Sequence, residues 1–314
     1  MFGKTLLLLT ACLAVQAASI PAKRQNNNGT AAHPNVTDPD VLNFALTLEH
    51  LENAFYTGGL QNFSQAAFLK AGYAASVRGY YQQIASHEQT HVANLTSLLG
   101  TQAVQPCTYN FGNGNVSTFV ATSDMLEVVG ASAYSGSARY LQNKDLLTAA
   151  AAILATEARQ SSWINSAVRG GNPWSTAYET PLDLNQVFTL ASSVIVSCPS
   201  NNTAIPVTPN PPLTATPATA NPGQNITLTF NTTSGPVTNA TGLYAAFLSG
   251  VTPTFLPLSG NGTFSVTIPS FLRGFVFLAI TNSSSAADDS VTVAGPAFFN
   301  FAFNSNNTIT PLPR

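Results

Sequence analysis

Only six glutamates occur in the 314 residues, and five of them interrupt the apolar seams of four helical segments. Read at alternating steps of three and four, the first segment gives Leu42, Ala45, Glu49, Glu52 and Tyr56. The second gives Val77, Tyr81, Ile84, Glu88, His91, Leu95 and Leu98. The third gives Val120, Asp124, Glu127, Ala131 and Tyr134, and the fourth gives Leu146, Ala150, Ile153, Glu157, Gln160 and Ile164. The sixth glutamate, Glu179, lies in a loop flanked by Pro and Gly. Carboxylates are costly to bury unless paired or metal-bound, and converging like charges raise that cost. Four helices that pack such seams together need a compensating cation at their centre, or shared protons. The helical wheel does not choose between Glu49, at the edge of the apolar arc, and Glu52, nearer its middle.

Helix signals place these seams on a four-helix bundle spanning residues 38–198. Asp38-Pro39 opens the first helix and Gly58-Gly59 closes it; the second runs from about Ala74 to Leu99 and stops at Gly100. The third covers about Thr118 to Leu141, the fourth about Lys144 to Val168, and a shorter apolar segment, Leu182 to Val196, is a candidate fifth helix. The connection from Thr101 to Ser117 can span about 55 Å when extended, against a second helix about 39 Å long, so a crossover fits. The tight Gln142-Asn143 joint makes the third and fourth helices antiparallel neighbours.

Glu88-Gln89-Thr90-His91 puts a carboxylate and an imidazole one turn apart on one helix face. Together with single glutamates from the other helices, this resembles the ligand pattern of ferritin-like di-iron and di-manganese carboxylate proteins. The run Asn43-Phe44-Ala45-Leu46-Thr47-Leu48-Glu49-His50-Leu51-Glu52-Asn53-Ala54-Phe55-Tyr56 is similar to the opening helix of the ferritin-like family that includes plant desiccation-related and fungal stress-response proteins. The resemblance covers residues 38–198. It implies a metal site of Glu49, Glu52, Glu88, His91, Glu127 and Glu157, holding two iron or manganese ions, with redox chemistry on dioxygen or peroxide as the enzymatic option. The fourth helix departs from the pattern, reading Glu157-Ala158-Arg159-Gln160 with Gln160 where a second His is asked for, which puts the second ion and turnover in question. The competing reading is a relict core of hydrogen-bonded carboxyls and tyrosines, in a non-enzymatic cell-wall or matrix protein. His50 and His87 are expected to face away from the site.

After residue 198 the composition changes. Residues 199–222 are rich in Pro, Thr, Ala and Asn and read as an extended linker. Short alternating runs follow, at Ile226 to Phe230, Leu243 to Leu248, Phe264 to Ile268, Phe275 to Ile280, Val291 to Val293 and Phe298 to Phe303. They predict an immunoglobulin-like or fibronectin-like β-sandwich over residues 223–304, followed by a tail at 305–314. The expected fold class is therefore an all-α ferritin-like four-helix bundle followed by a β-sandwich domain.

Residues 1–17 carry Lys4, an apolar run from Leu6 and a small-residue end, the pattern of a signal peptide. Lys23-Arg24 would close a short propeptide at 18–24, leaving an Asn-rich, disordered-looking leader at 25–37. Twelve Asn-x-Ser/Thr sites accord with a secreted glycoprotein. Once Cys12 leaves with the signal, Cys107 and Cys198 remain, and an oxidising compartment makes their disulfide the default. Charged residues make up 8 % of the chain and the formal net charge is −2, which disfavours nucleic acid as a partner, and no later segment has the length and hydropathy of a membrane span. The expected location is extracellular or cell wall, with wall glycans or small oxidants as partners. Oligomeric state is not legible.

Overall fold

The computed structural model describes residues 32–232, 235, 236 and 239–313. The expected signal peptide, the propeptide and the leader up to residue 31 lie outside the described residues.

Among the described residues, six α-helices come before the β-strands of the sandwich. Helix α1 (Asp38–Asn62) begins where Asp40 accepts hydrogen bonds from both the backbone and the hydroxyl of Thr37, and α2 (Gln65–Lys70) is a single short turn that the seams did not signal. Helix α3 (Val77–Leu99) ends at Gly100, whose φ of 57° lets the chain turn away. Helices α4 (Val116–Ser137) and α5 (Lys144–Trp163) are capped by Asn115 and Asn143, and α5 runs on into a π-helical turn at Ile164–Val168. Helix α6 (Leu184–Ser192) covers the middle of the segment expected as a fifth helix.

Helix α1 packs along α3, α4 packs along α5, and α1 also meets α4. The joint between α4 and α5 is fastened to α1, because Asp38 accepts from the backbone of Gln142 at 2.7 Å and of Asn143 at 3.0 Å. The segment from Gly100 to Asn115 carries the chain from the first pair to the second. It is held by the Cys107–Cys198 disulfide, by β1 (Thr108–Tyr109) pairing with β2 (Ile195–Ser197), and by the Val104 amide, which donates to buried Asn43. Bulky rings fill the bundle on one side of the acidic residues, where Phe55 stacks on Phe119 with centroids 4.9 Å apart and Tyr81 packs edge-on to Phe119 and Trp163. Ala45, Leu46, Leu95 and Leu99 fill it on the other side.

Two antiparallel sheets form the rest. One has the order β11 (Thr292–Phe301), β10 (Gly274–Thr281), β6 (Tyr244–Leu248), β7 (Thr254–Pro257). The other has the order β3 (Leu213–Thr216), β4 (Asn225–Thr232), β9 (Thr263–Thr267), β8 (Ser259–Asn261), with β5 (Gly235–Pro236) pairing with β4. This strand order is that of an immunoglobulin-type sandwich. The core between the sheets is built from Leu228, Phe247, Phe264, Val276, Leu278 and Ile280 among others.

Three features differ from the sequence expectation. Strand β3 comes from the stretch read as linker, with Leu213 and Ala215 turned toward the sandwich core and the intervening threonines exposed. The two runs read at 291–293 and 298–303 are one strand, β11, which contains Gly295-Pro296; β11 is an edge strand, and an edge tolerates a proline that donates no ladder hydrogen bond. Finally, the sandwich is not a module held at a distance. Every residue of β10 is buried: Val276, Leu278 and Ile280 enter the sandwich core, whereas Phe275 and Phe277 join the helical core with Ala246 and Leu248 of β6. Polar contacts bind the same junction, since Gln186 of α6 donates to Ala287 O at 2.7 Å and to Thr292 Oγ1 at 2.9 Å, and the Phe275 amide donates to Ser175 Oγ at 2.8 Å. Helices and sandwich therefore make one unit from Asn35 onward.

Candidate metal centre

The four seams converge. Glu49 and Glu52 come from α1, Glu88 and His91 from α3, Glu127 from α4, and Glu157 and Gln160 from α5; the five glutamates are between 0 and 4 % exposed. Ligand atoms of Glu49, Glu88, His91 and Glu157 all lie within 4.8 Å of one another. His91 Nδ1 stands 2.9 Å from Glu88 Oε2 and 3.1 Å from Glu49 Oε2. Glu52 lies against Glu157 across Gly130 of α4: a Cβ built on Gly130 would stand 1.8 Å from Glu157 Oε2 and 3.0 Å from Glu52 Oε1, so only glycine leaves room for the two carboxylates. Glu49 and Glu52 are both buried, Glu49 beside His91 and Glu52 beside Gly130, and of the two only Glu49 has a ligand atom in the converging group with Glu88, His91 and Glu157.

Outer hydrogen bonds hold several of these groups. Tyr134 donates to Glu49 Oε1 at 2.5 Å, Tyr56 donates to Glu127 Oε1, and the Gln160 amide donates to Glu88 Oε1 at 3.0 Å. Glu88 consequently sits between His91 and Gln160, one oxygen turned to each. Within the cluster four buried oxygens meet no hydrogen-bond partner, Glu127 Oε2, both oxygens of Glu157, and Gln160 Oε1, and other such atoms lie elsewhere in the described residues, among them Ser132 Oγ and Asn300 Oδ1.

Burial dominates the electrostatics. It raises Glu49 to about 7, against hydrogen bonding from His91, with the neighbouring Glu88 adding to the rise. Burial and then the surrounding carboxylates raise Glu52, Glu127 and Glu157 well above the usual range. Burial alone would lower His91, but hydrogen bonds to Glu49 and Glu88 prevail and raise it to about 10.

The relict-core reading requires the carboxyls to satisfy one another by hydrogen bonds. Glu157 meets no partner with either oxygen, and a fully buried polar group left this way calls for an explanation. Five converging carboxylates, one imidazole and an amide oxygen are the donor types that iron or manganese takes, so the residues present fit a divalent ion. Glu49, Glu52, Glu88, His91, Glu127 and Glu157 would hold it, with Tyr56, Tyr134 and Gln160 fixing the carboxylates from outside.

His50 faces away as expected, with Nε2 at 3.1 Å from Val104 O. His87 is exposed as expected, yet its Nδ1 lies 3.2 Å from Gln160 Nε2, at the rim of the cluster. Nothing in the helical pattern marks it, because it stands one residue before Glu88. Asp124, one turn before Glu127, is buried and ion-paired with Arg169 from beyond the π-turn; burial raises its carboxyl to about 7 in spite of the guanidinium. A further feature that no single helix reveals is an apolar cavity of about 20 Å³ between α1, α4 and α6. It is lined by Leu48, Leu51, Leu126, Val129, Leu190 and Val194 among others, and it reaches Glu52 and Gly130.

The family model described as ferritin-like domain matches residues 37–170. A relative, Protein rds1 of Schizosaccharomyces pombe, is 30 % identical over 181 residues, which are 56 % of this chain and 44 % of the relative, so the chain spans less than half of that protein's length. Fold, carboxylate cluster and sequence match agree in making the helical part of this chain, residues 37–170, similar to a ferritin-like domain.

Proposed function

We propose that this protein is a secreted, N-glycosylated ferritin-like metalloprotein that holds iron or manganese in its bundle and acts on dioxygen or peroxide, in a stress or desiccation setting. The observation that carries the metal is Glu157, fully buried, with two oxygens that meet no hydrogen-bond donor amid four other carboxylates. A bound iron or manganese ion would supply one-electron redox chemistry and would offset the charge of the buried carboxylates. The chain's own residues do the rest. Tyr134 and Tyr56 keep Glu49 and Glu127 in place through their hydroxyl protons, and Gln160 fixes the orientation of Glu88. Leu48, Leu126 and Val129 make the approach to Glu52 apolar, and the cavity of about 20 Å³ there has room for a molecule of about the size of water or dioxygen.

Secretion is supported by the leader-like first residues and by the Cys107–Cys198 disulfide, which belongs to an oxidising compartment. Among the described residues no helix is long and apolar enough to cross a membrane. The link to stress or desiccation rests on the family resemblance. A second role, contact with cell-wall glycans, is favoured by exposed rings near the junction with the sandwich: Trp174 is 68 % exposed and Phe271 66 %. That role is separable from the first, because Glu88 and His91 take no part in it.

The test of the redox reading is consumption of dioxygen and of hydrogen peroxide by the metal-loaded full chain, beside the double variant Glu88→Ala/His91→Ala. The variant is expected to lose at least about a hundredfold in rate, as removal of a ligand pair requires. Equal consumption by the two proteins would place the chemistry outside the cluster.

A further inference from the structure

Four oxidisable rings of the bundle stand in one line. Tyr56 of α1 donates its hydroxyl proton to Glu127 Oε1, inside the carboxylate cluster. Its ring centroid lies 6.1 Å from that of Tyr81 of α3, Tyr81 lies 5.3 Å from Trp163 at the end of α5, and Trp163 lies 5.4 Å from Tyr80. Tyr56 and Tyr81 are fully buried, Trp163 is half-buried, and Tyr80 is 47 % exposed. Tyr80 and Tyr81 are neighbours in the chain and leave α3 about 100° apart, and the indole of Trp163 meets both of them edge-on. Phe55, Phe68 and Phe119 pack against the same tyrosines, but a phenylalanine ring resists one-electron oxidation, whereas phenol and indole yield to it. The oxidisable rings thus run from the carboxylates to water.

We infer that Tyr56, Tyr81, Trp163 and Tyr80 form an electron relay, and that the exposed hydroxyl of Tyr80 is a second reaction site, where small phenols are oxidised by one electron each. The inference rests on the redox reading above, takes hydrogen peroxide as the oxidant, and adds the source of its electrons. Reduction of one peroxide to two waters takes two electrons and two protons, and two turns of the relay supply the electrons. In each turn Tyr56 gives up an electron toward the peroxide while its phenolic proton shifts to Glu127 Oε1 along the hydrogen bond already present. An electron arriving from Tyr80 through Trp163 and Tyr81 restores Tyr56, and the proton returns to it. Tyr81 serves only as a packed ring, because its hydroxyl meets Ser123 Oγ at 2.9 Å, Ser123 donates in turn to Val120 O, and no base takes its proton. Tyr80 releases its proton to solvent, which replaces the proton that the peroxide takes up. The Tyr80 phenoxyl then takes a hydrogen atom from a phenol in solution: one phenolic O–H bond breaks and another forms. Like exchanges with like, so the step has little net change in bond energy. The sum is one peroxide and two phenols giving two waters and two phenoxyl radicals.

The metal-loaded full chain is mixed with hydrogen peroxide and a nitroso spin trap, the adduct is located by peptide mass spectrometry, and metal content is measured on the same samples. The adduct is expected on Tyr80 in the wild type and is expected to be lost in Trp163→Phe at unchanged metal content. Tyr80→Phe, a conservative change at an exposed position, is expected to keep its metal, to lose oxidation of added 2-methoxyphenol, and to show a tryptophan-type radical in freeze-quenched electron paramagnetic resonance. A wild type that consumes peroxide without an adduct on Tyr80, or a Trp163→Phe protein that forms it undiminished, would overturn the relay and leave the redox reading standing. Oxidation of 2-methoxyphenol by Tyr80→Phe at the wild-type rate would remove Tyr80 as the second site. If the loaded wild type consumes no peroxide, the redox reading fails, and the relay with it.

Discussion

Stripped of divalent ions, the protein is expected to lose stability steadily as the pH is raised from about 5 to about 8. Folding lifts Glu49 from 4.5 to about 7, lifts Asp124 from 3.8 to about 7, and lifts Glu52, Glu127 and Glu157 in the same direction, in each case chiefly by burial. The folded chain therefore binds more protons than the unfolded chain across this range, and stability falls as pH rises. His91 has the same sign: raised to about 10, its contribution is complete below the ordinary histidine value and is lost as pH climbs toward 10. The Glu49 shift alone corresponds to about 3 kcal/mol. Thermal unfolding of the chelated protein at several pH values checks this, and a flat or rising profile would contradict it. Saturating manganese or iron is expected to reverse the slope, because ligands must be deprotonated before they bind.

Replacing Cys107 and Cys198 together by Ala is expected to cost about 4 to 5 kcal/mol, since the bond closes a loop across a sequence separation of 91 residues. For a chain of this size that is a fall of roughly 10 °C in the unfolding midpoint. The cost falls on a particular part of the fold. The disulfide ties the segment that crosses from α3 to α4 to the segment after α6, beside the short β1–β2 pair. A midpoint within about 2 °C of the wild type would mean that the Asn43–Val104 hydrogen bond and the β1–β2 pair already hold the crossover unaided.

The cluster was legible because rarity and spacing coincide: with six glutamates in the chain, five at seam positions cannot be solvated surface. Helical spacing also carried Asp124 and Gln160 into the buried seams. What spacing could not carry is the third dimension. Gly130 has no side chain to register in a seam, yet its bareness is what lets Glu52 meet Glu157. His87 joins the rim through the neighbouring helix, and α6 closes the apolar cavity from outside the four-helix pattern. In the sandwich, β3 was hidden by a Pro/Thr-rich context, and β7 and β8 by their shortness. One sign of the packed junction was present in the sequence. Phe275-Val276-Phe277-Leu278-Ala279-Ile280 has no polar alternate, unlike Ile226-Thr227-Leu228-Thr229-Phe230, and an uninterrupted apolar run marks a strand covered on both faces.

The central claim is that these carboxylates and His91 hold metal. The most direct measurement is elemental mass spectrometry of the full chain, purified without chelator from metal-replete culture, beside Glu88→Ala/His91→Ala. Between about one and about two ions of iron or manganese per chain are expected in the wild type, and close to none in the variant. A wild type essentially free of metal, or a variant that retains as much as the wild type, would contradict the account.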